Sequence, residues 1–246
     1  MAAAALLPAC AASIRESASR AADGLPAGTA ARLLARDWEA LEGGRRFLDL
    51  RLSDRVRALS GEGALLYGTE PLRLRLEVFG PHATPVLSLV QRGDSLAVRL
   101  HEEGRLVQGL AGDPAFADLA GGRGFTGQEI LGALLGAYDA AALVEGPADT
   151  VAWRDGDELN VALLEPDRAH LFTWEAADST LLEYRQDRGG RAAYRVRFGD
   201  WRTVEGRRRP FRIEAQDVAG RRTLRAAVSR ETFVPEPDDA FRLPPS

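Results

Sequence analysis

Lysine is absent from this 246-residue chain; all 32 basic residues are arginine. Beside so much alanine, this reads as the base composition of the source DNA rather than as function. The net charge is −4, so bulk charge gives no reason to expect a nucleic-acid partner. Cysteine occurs once, as Cys10, and histidine three times, as His82, His101 and His170. One thiol makes no internal disulfide, and one cysteine with three scattered histidines makes no cysteine-rich zinc site. The HExxH, GxSxG and CxxC patterns are all missing. No metal and no cofactor is therefore expected, and the chain is read as a non-enzyme. No apolar run approaches the roughly 18 residues of a spanning helix.

What is present is a chain that is 45% hydrophobic and 28% charged, enough to bury a core. Large all-β sandwiches and barrels often reach about 200–250 residues as one domain. Residues 29–246 accordingly read as one domain, and residues 1–28 as a signal remnant and tether. The stretch from Pro71 to Leu110 sets the class. Leu72, Leu74, Leu76 and Val78 alternate with Arg73, Arg75 and Glu77, the period-2 pattern of a strand with one apolar face. Gly80-Pro81 stops it. A run holding Leu87 and Leu89 follows, then Leu96, Val98 and Leu100, then Leu106-Val107. Strands joined by tight turns with no helix between them make an antiparallel meander.

The same alternation begins at Phe47, with Gly61 and Gly63 as expected bulge or bend positions. It returns from Val151 to Val228, with Asp155-Gly156 as an expected hairpin turn. The total is about ten or eleven strands. Leu34, Trp38 and Leu41 predict a helix over 29–41, stopped by Gly43-Gly44. Asp113-Pro114 opens a short helix to about Leu119. Gly121 to Gly127 contains a formal G-x-G-x-x-G. It follows a helical segment and an antiparallel meander, not the strand of a βαβ unit, so it reads as a hinge. Thr126 and Glu129 then form a capping box, and the helix runs to about Tyr138 with Ile130, Leu131, Leu134, Leu135 and Tyr138 as its apolar stripe.

Glu102-Glu103, Asp155 with Asp157, and Asp238-Asp239 read as solvated turn charges. Arg207-Arg208-Arg209 reads as a solvated loop, with contact to an anionic headgroup as the functional alternative. A catalytic pair assembled from distant strands is compatible with any spacing. A sheet of this length, with helices inserted between its halves, curls into an open barrel whose apolar inner face holds a ligand or is filled by side chains. Pattern alone favours filling. A carbon-lined cavity marks a carrier, a solid interior a scaffold, and two carboxylates in a wet cleft a hydrolase.

Cys10 ends a short apolar run, Ala5-Leu6-Leu7-Pro8-Ala9. That resembles a bacterial lipoprotein signal, in which the Cys becomes the acylated N-terminus. Pro8 and the lack of a positive n-region depart from that pattern, and a frayed Ala-rich terminus is the alternative.

Residues 59–110 resemble the LolA/LolB group of bacterial lipoprotein carriers and receptors, LolB-type sequences in particular. The resemblance rests on Ser60-Gly61-Glu62-Gly63, on Arg73 to Pro81, on Gly127 to Gly136 as a lid helix, and on Tyr194 to Val228 followed by Phe241-Arg242-Leu243-Pro244. It implies an incomplete antiparallel β-barrel with a helical lid and a cavity for acyl chains. Leu74, Leu76, Val78, Leu87 and Leu89 would line that cavity beneath Ile130, Leu131, Leu134, Leu135 and Tyr138. It implies a membrane-delivery turn at Gly80, Pro81 and His82; the family's exposed Leu is His82 here. It also implies lipidation at Cys10, a lipid or lipoprotein cargo, and a periplasmic carrier as partner. The expected location is the periplasmic face of the outer membrane, or the periplasm if Cys10 is not acylated. The alternative is an anchored scaffold with a filled barrel.

Overall fold

The structure is a computed structural model that describes residues 14–16, 18–19, 23–53, 58–69, 71–110, 127–144, 147–189, 191–217 and 222–243. Cys10, the Asp113-Pro114 helix, the Gly121–Gly124 hinge and Thr126 lie outside the described residues.

The meander expected around Pro71–Leu110 is β4 (Leu72–Phe79), β5 (Pro85–Arg92), β6 (Ser95–Leu100) and β7 (Arg105–Leu110). Before it come β1 (Asp23–Gly24), α1 (Ala27–Glu39), β2 (Gly43–Ser53) and β3 (Ala58–Thr69). After it come α2 (Gly127–Leu135), α3 (Ala140–Leu143), β8 (Asp149–Asp155), β9 (Glu158–Leu164), β10 (Arg168–Glu175), β11 (Leu181–Arg188), β12 (Arg191–Val204), β13 (Arg207–Asp217) and β14 (Arg222–Thr232). The sheet holds fourteen strands, more than the sequence count, in the order β1-β8-β9-β10-β11-β12-β13-β14-β2-β3-β4-β5-β6-β7. Two meanders are thus joined where β14 pairs with β2, Ala226 opposite Leu50. The chain crosses from one margin of the sheet to the other through α2 and α3.

The sheet curls around α2. Its strands β11 and β2 are four places apart in the sheet, about 19 Å if laid flat at 4.8 Å per strand. Yet this nine-residue helix bonds to both, through Glu129 to Tyr184 and Gln186 and through the Leu134 carbonyl to Arg46. The fold is a mostly β, single open antiparallel barrel with a small helical part inside. Among the described residues no helix is long and apolar enough to cross a membrane.

Several local expectations shift. The tether region carries structure: Ile14 is buried with Trp153, Ala162, Leu164 and Ala169, and Asp23–Gly24 pairs with β8. Helix α1 stops at Glu39, and Gly43-Gly44 open β2 rather than ending the helix. A Cβ at Gly44 would lie 2.8 Å from the Tyr67 hydroxyl oxygen, so packing demands glycine there. Gly61 and Gly63 are not bulges, since β2 and β3 pair without interruption. Gly63 instead leaves room for Leu50, whose Cδ1 would stand 2.9 Å from a Cβ. Helix α2 ends at Leu135, not at Tyr138. Gly136 takes φ +66°, and the amides of Gly136 and Ala137 bond back to Ala133 and Gly132 at 3.3 and 3.2 Å. That is a Schellman turn, which satisfies two carbonyls that a helix end leaves open. The Asp155-Gly156 hairpin is present as expected, with Asp155 opposite Glu158.

Candidate functional site

Residues directly opposite in antiparallel strands share a face, so the register lays out the concave surface. One row runs Arg46, Leu65, Leu76, Leu89, Val98, Val107 across β2 to β7. The next runs Leu48, Gly63, Val78, Leu87, Leu100. A third runs Gly44, Tyr67, Leu74, Gln91, Leu96. The structure therefore brings together all five strand residues expected to line the cavity. Leu74 and Leu76 are buried, whereas Val78, Leu87 and Leu89 are half-buried. Toward β5–β7 the ladder is mixed: Leu96 and Val98 are buried, while Leu87, Leu89, Leu100 and Val107 are half-buried. A cleft of about 580 Å³ at that margin is lined mostly by the opposite phase of the strands, Val90, Ala97 and Gln108 among them, with Leu96 and Gly109 from the inner one.

The helix residues are more deeply buried than a half-exposed cover would be. Leu131, Leu134 and Leu135 are 0–1% exposed and share one core with Leu74, Leu76, Phe172 and Val196. The Ile130 side chain lies outside the described residues. Tyr138 follows the helix and folds back over Gly132, where any Cβ would meet its ring. It joins an aromatic cluster, with its ring centroid 4.3 Å from Tyr184 and 5.7 Å from Phe172. Between α1 and this cluster, beside Leu33, Trp174 and Leu181, the remaining space is about 10 Å³, room for about one water.

Two polar clusters hold α2 and were not anticipated. At its C-terminal end, Arg46 donates to the carbonyls of Leu134 and Pro210, the latter at 2.6 Å. Glu231 forms an ion pair with Arg46 Nη2 at 3.1 Å and accepts hydrogen bonds from Arg209 Nε and from the Tyr67 hydroxyl, each at 3.1 Å. Burial, then the Arg209 charge, lower the Arg46 pKa to about 10, while burial raises that of Tyr67. Arg209 thus leaves the Arg207-Arg208-Arg209 run that the sequence reads as solvated. It alternates in phase with Phe211 and Ile213 and is 3% exposed. Arg46 likewise sits on the inward phase of Leu48. A charge on the apolar phase of a strand was the available signal for both.

At the N-terminal end, Glu129 Oε1 accepts from Gln186 Nε2 and from the Tyr184 hydroxyl, the latter at 3.2 Å. The carboxylate expected to close a capping box therefore turns an oxygen to the sheet. The Tyr184 oxygen is also 2.8 Å from His170 Nδ1, and His170 Nε2 is 3.3 Å from Glu165 Oε2. Burial is the main cause that pulls the His170 pKa down to about 4, helped by Arg168 and Arg188 and opposed by Glu165. A pKa depressed on folding means that the unfolded chain takes up the proton first. The stability this neutral ring allows is complete above about pH 6.5 and falls as pH drops toward 4. The loss expected is at most about 3–4 kcal/mol, at about 1.4 kcal/mol per pKa unit. Urea melts at pH 7.5 and 4.5 should show a smaller acid loss for His170→Gln than for the wild type. Equal losses would remove His170 as the cause.

On the outer face, Ser88 meets both Glu77 and, at 2.8 Å, His101 Nε2. The hydroxyl stands between acid and imidazole, so the carboxylate does not orient the ring as a base. This is not the nucleophile arrangement of a hydrolase. Glu231 and Glu129 point inward, but each is buried under hydrogen-bond donors rather than sharing a wet cleft. The Gly80-Pro81-His82 turn is exposed at Pro81 and His82, with His82 at φ 61°. It caps the Val78–Leu87 end of the ladder and offers imidazole where an aliphatic group was implied.

An open antiparallel barrel wrapped around a buried helix is the class that this geometry defines. The chain has the LolA/LolB-like fold. It aligns with a LolA superfamily protein from Nitrosomonas europaea at TM-score 0.60 and 15% identity, over 87% of this chain and 97% of that one. A DUF1329 family protein from Desulfovibrio piger aligns at TM-score 0.65 and 11% identity, over 88% and 97%. A putative outer membrane lipoprotein-sorting protein domain from Vibrio parahaemolyticus aligns at TM-score 0.61 and 11% identity, over 91% and 97%. No family profile and no curated protein matches the sequence.

Proposed function

We propose that this chain is a carrier or receptor, not an enzyme, that buries acyl chains of lipids or lipoproteins against the inner face of β3–β7. The observation that carries this reading is the half-buried apolar ladder of Val78, Leu87, Leu89, Leu100 and Val107, continuous with the core beneath α2. Each acyl CH₂ buried contributes about 0.8 kcal/mol. The fold shared with a lipoprotein-sorting domain supports the same reading. On this view a lipid on Cys10 holds the protein at the periplasmic face of the outer membrane, and a periplasmic carrier supplies the cargo. Because α2 fills its half of the barrel, a long chain needs that helix to move. The apparent affinity is then the intrinsic affinity scaled by the open fraction.

Leu87→Asp and Leu89→Asp place a charge on the half-buried part of the ladder. Each should weaken binding of a fluorescent fatty acid by at least about tenfold while costing about 1–2 kcal/mol of stability, less than a fully buried charge costs. Unchanged affinity in both would remove the ladder from the site. A second reading, an anchored scaffold with a filled barrel, is favoured by the roughly 10 Å³ left beside Tyr138. Native mass spectrometry of extracted protein separates the two: co-purified lipid supports the carrier. No lipid, together with no fatty-acid binding by the wild type, supports the scaffold.

A further inference from the structure

We propose that the Arg46–Arg209 pair is a headgroup site, which takes the anionic oxygens, carboxylate or phosphate, of an amphiphile whose tail lies along the apolar ladder. This rests on the carrier reading above and adds the chemical class of the cargo. The charges do not balance within the cluster. Two buried guanidiniums face one carboxylate, Glu231, and the remaining member, Tyr67, is a neutral phenol. Arg46 Nε, Arg209 Nη2 and Glu231 Oε2 are buried without a hydrogen-bond partner among the described residues. Beyond Glu231, Arg46 donates to two carbonyls, that of Pro210 on β13 and that of Leu134 in the last turn of α2. A helix C-terminus carries about half a negative charge, spread over several carbonyls. A ligand carboxylate or phosphate carries at least a full charge on oxygens that match the guanidinium fork. The helix end is therefore a weaker partner than an anionic ligand would be.

Position makes the same point. Arg46 heads the row Leu65, Leu76, Leu89, Val98, Val107 on the same face. Five strand spacings separate its ends, about 24 Å along the sheet, which suits a long acyl chain. Lifting α2 frees Arg46 from Leu134 and uncovers Leu65 and Leu76 in one movement. The anionic head replaces the carbonyl of the helix, and the tail replaces its leucines.

The test uses the full chain and three probes: pyrene-labelled hexadecanoic acid, the matching hexadecanol, and a pyrene-labelled lysophosphatidic acid. The acid, the lysophosphatidic acid or both should bind at least about tenfold tighter than the alcohol, and which one does so identifies carboxylate or phosphate as the preferred source. Arg209→Gln should bring that ratio to within about twofold of one, with circular dichroism melts confirming a folded variant. If this variant does not fold, the ratio in the unmodified protein carries the test. Equal binding of all three probes overturns the headgroup site and leaves the carrier reading intact. Binding of none overturns both.

Discussion

Glu231→Ala is expected to destabilise the domain by about 3–5 kcal/mol, the range for breaking a buried ion pair by removing one partner. Glu231 is buried and neutralises part of two arginines that are themselves 0% and 3% exposed. Without it, Arg46 and Arg209 face each other as like charges out of water. Arg209 already lowers the Arg46 pKa, and Glu231 opposes that shift. The Tyr67 hydroxyl also loses its acceptor. Glu231→Gln keeps the shape and one acceptor but not the charge, so it should fall between alanine and wild type. Urea melts at pH 7 measure all three. A loss below about 1 kcal/mol for alanine would mean that the arginines reach water or another anion, and the interior at α2 would have to be wetter than the structure has it.

Leu134→Asp is the second large effect, again expected at about 3–5 kcal/mol, because a carboxylate is forced into a site that is 1% exposed. The helix that carries it is held at both ends, by Glu129 on the sheet and by Arg46 on the Leu134 carbonyl. Packing seals it at Gly132 and Gly136, where added side chains would meet Tyr138 and Pro210. A helix that opens readily on its own would let the new carboxylate reach water. The cost would then be under about 1 kcal/mol, and a surface-binding dye would bind more strongly. The urea melt beside a dye titration therefore measures how far α2 is open before any ligand arrives. A large cost together with fatty-acid binding by the wild type means that the ligand itself drives the exchange.

Strand phase was legible in the sequence because it is local. The alternation of Leu72, Leu74, Leu76 and Val78 with Arg73, Arg75 and Glu77 pointed to the inner face of β4, and Leu74 and Leu76 lie in the main core opposite Tyr67 and Leu65. The apolar stripe of α2 likewise announced burial, and the absence of a helix between the strands announced an antiparallel sheet. Helix ends were less legible, since Gly136 stops α2 only by adopting a left-handed conformation, while Gly43-Gly44 serve the packing of a strand.

Charges inside the barrel were the least legible. Arg209 looked like one third of a basic loop, and no motif singled out Glu231. Nothing within a few residues of either names its partner: Tyr67 meets Glu231 across 164 positions, and Arg46 meets Leu134 across 88. By itself the sequence determined which side of each strand is apolar, because side-chain direction alternates with every residue whatever the chain does elsewhere. Only the tertiary structure decided that β14 pairs with β2, that α2 fills the barrel, and that two arginines share one carboxylate beneath it. Those facts depend on how a fourteen-stranded sheet curls, and curling is a property of the whole sheet, not of any window of residues.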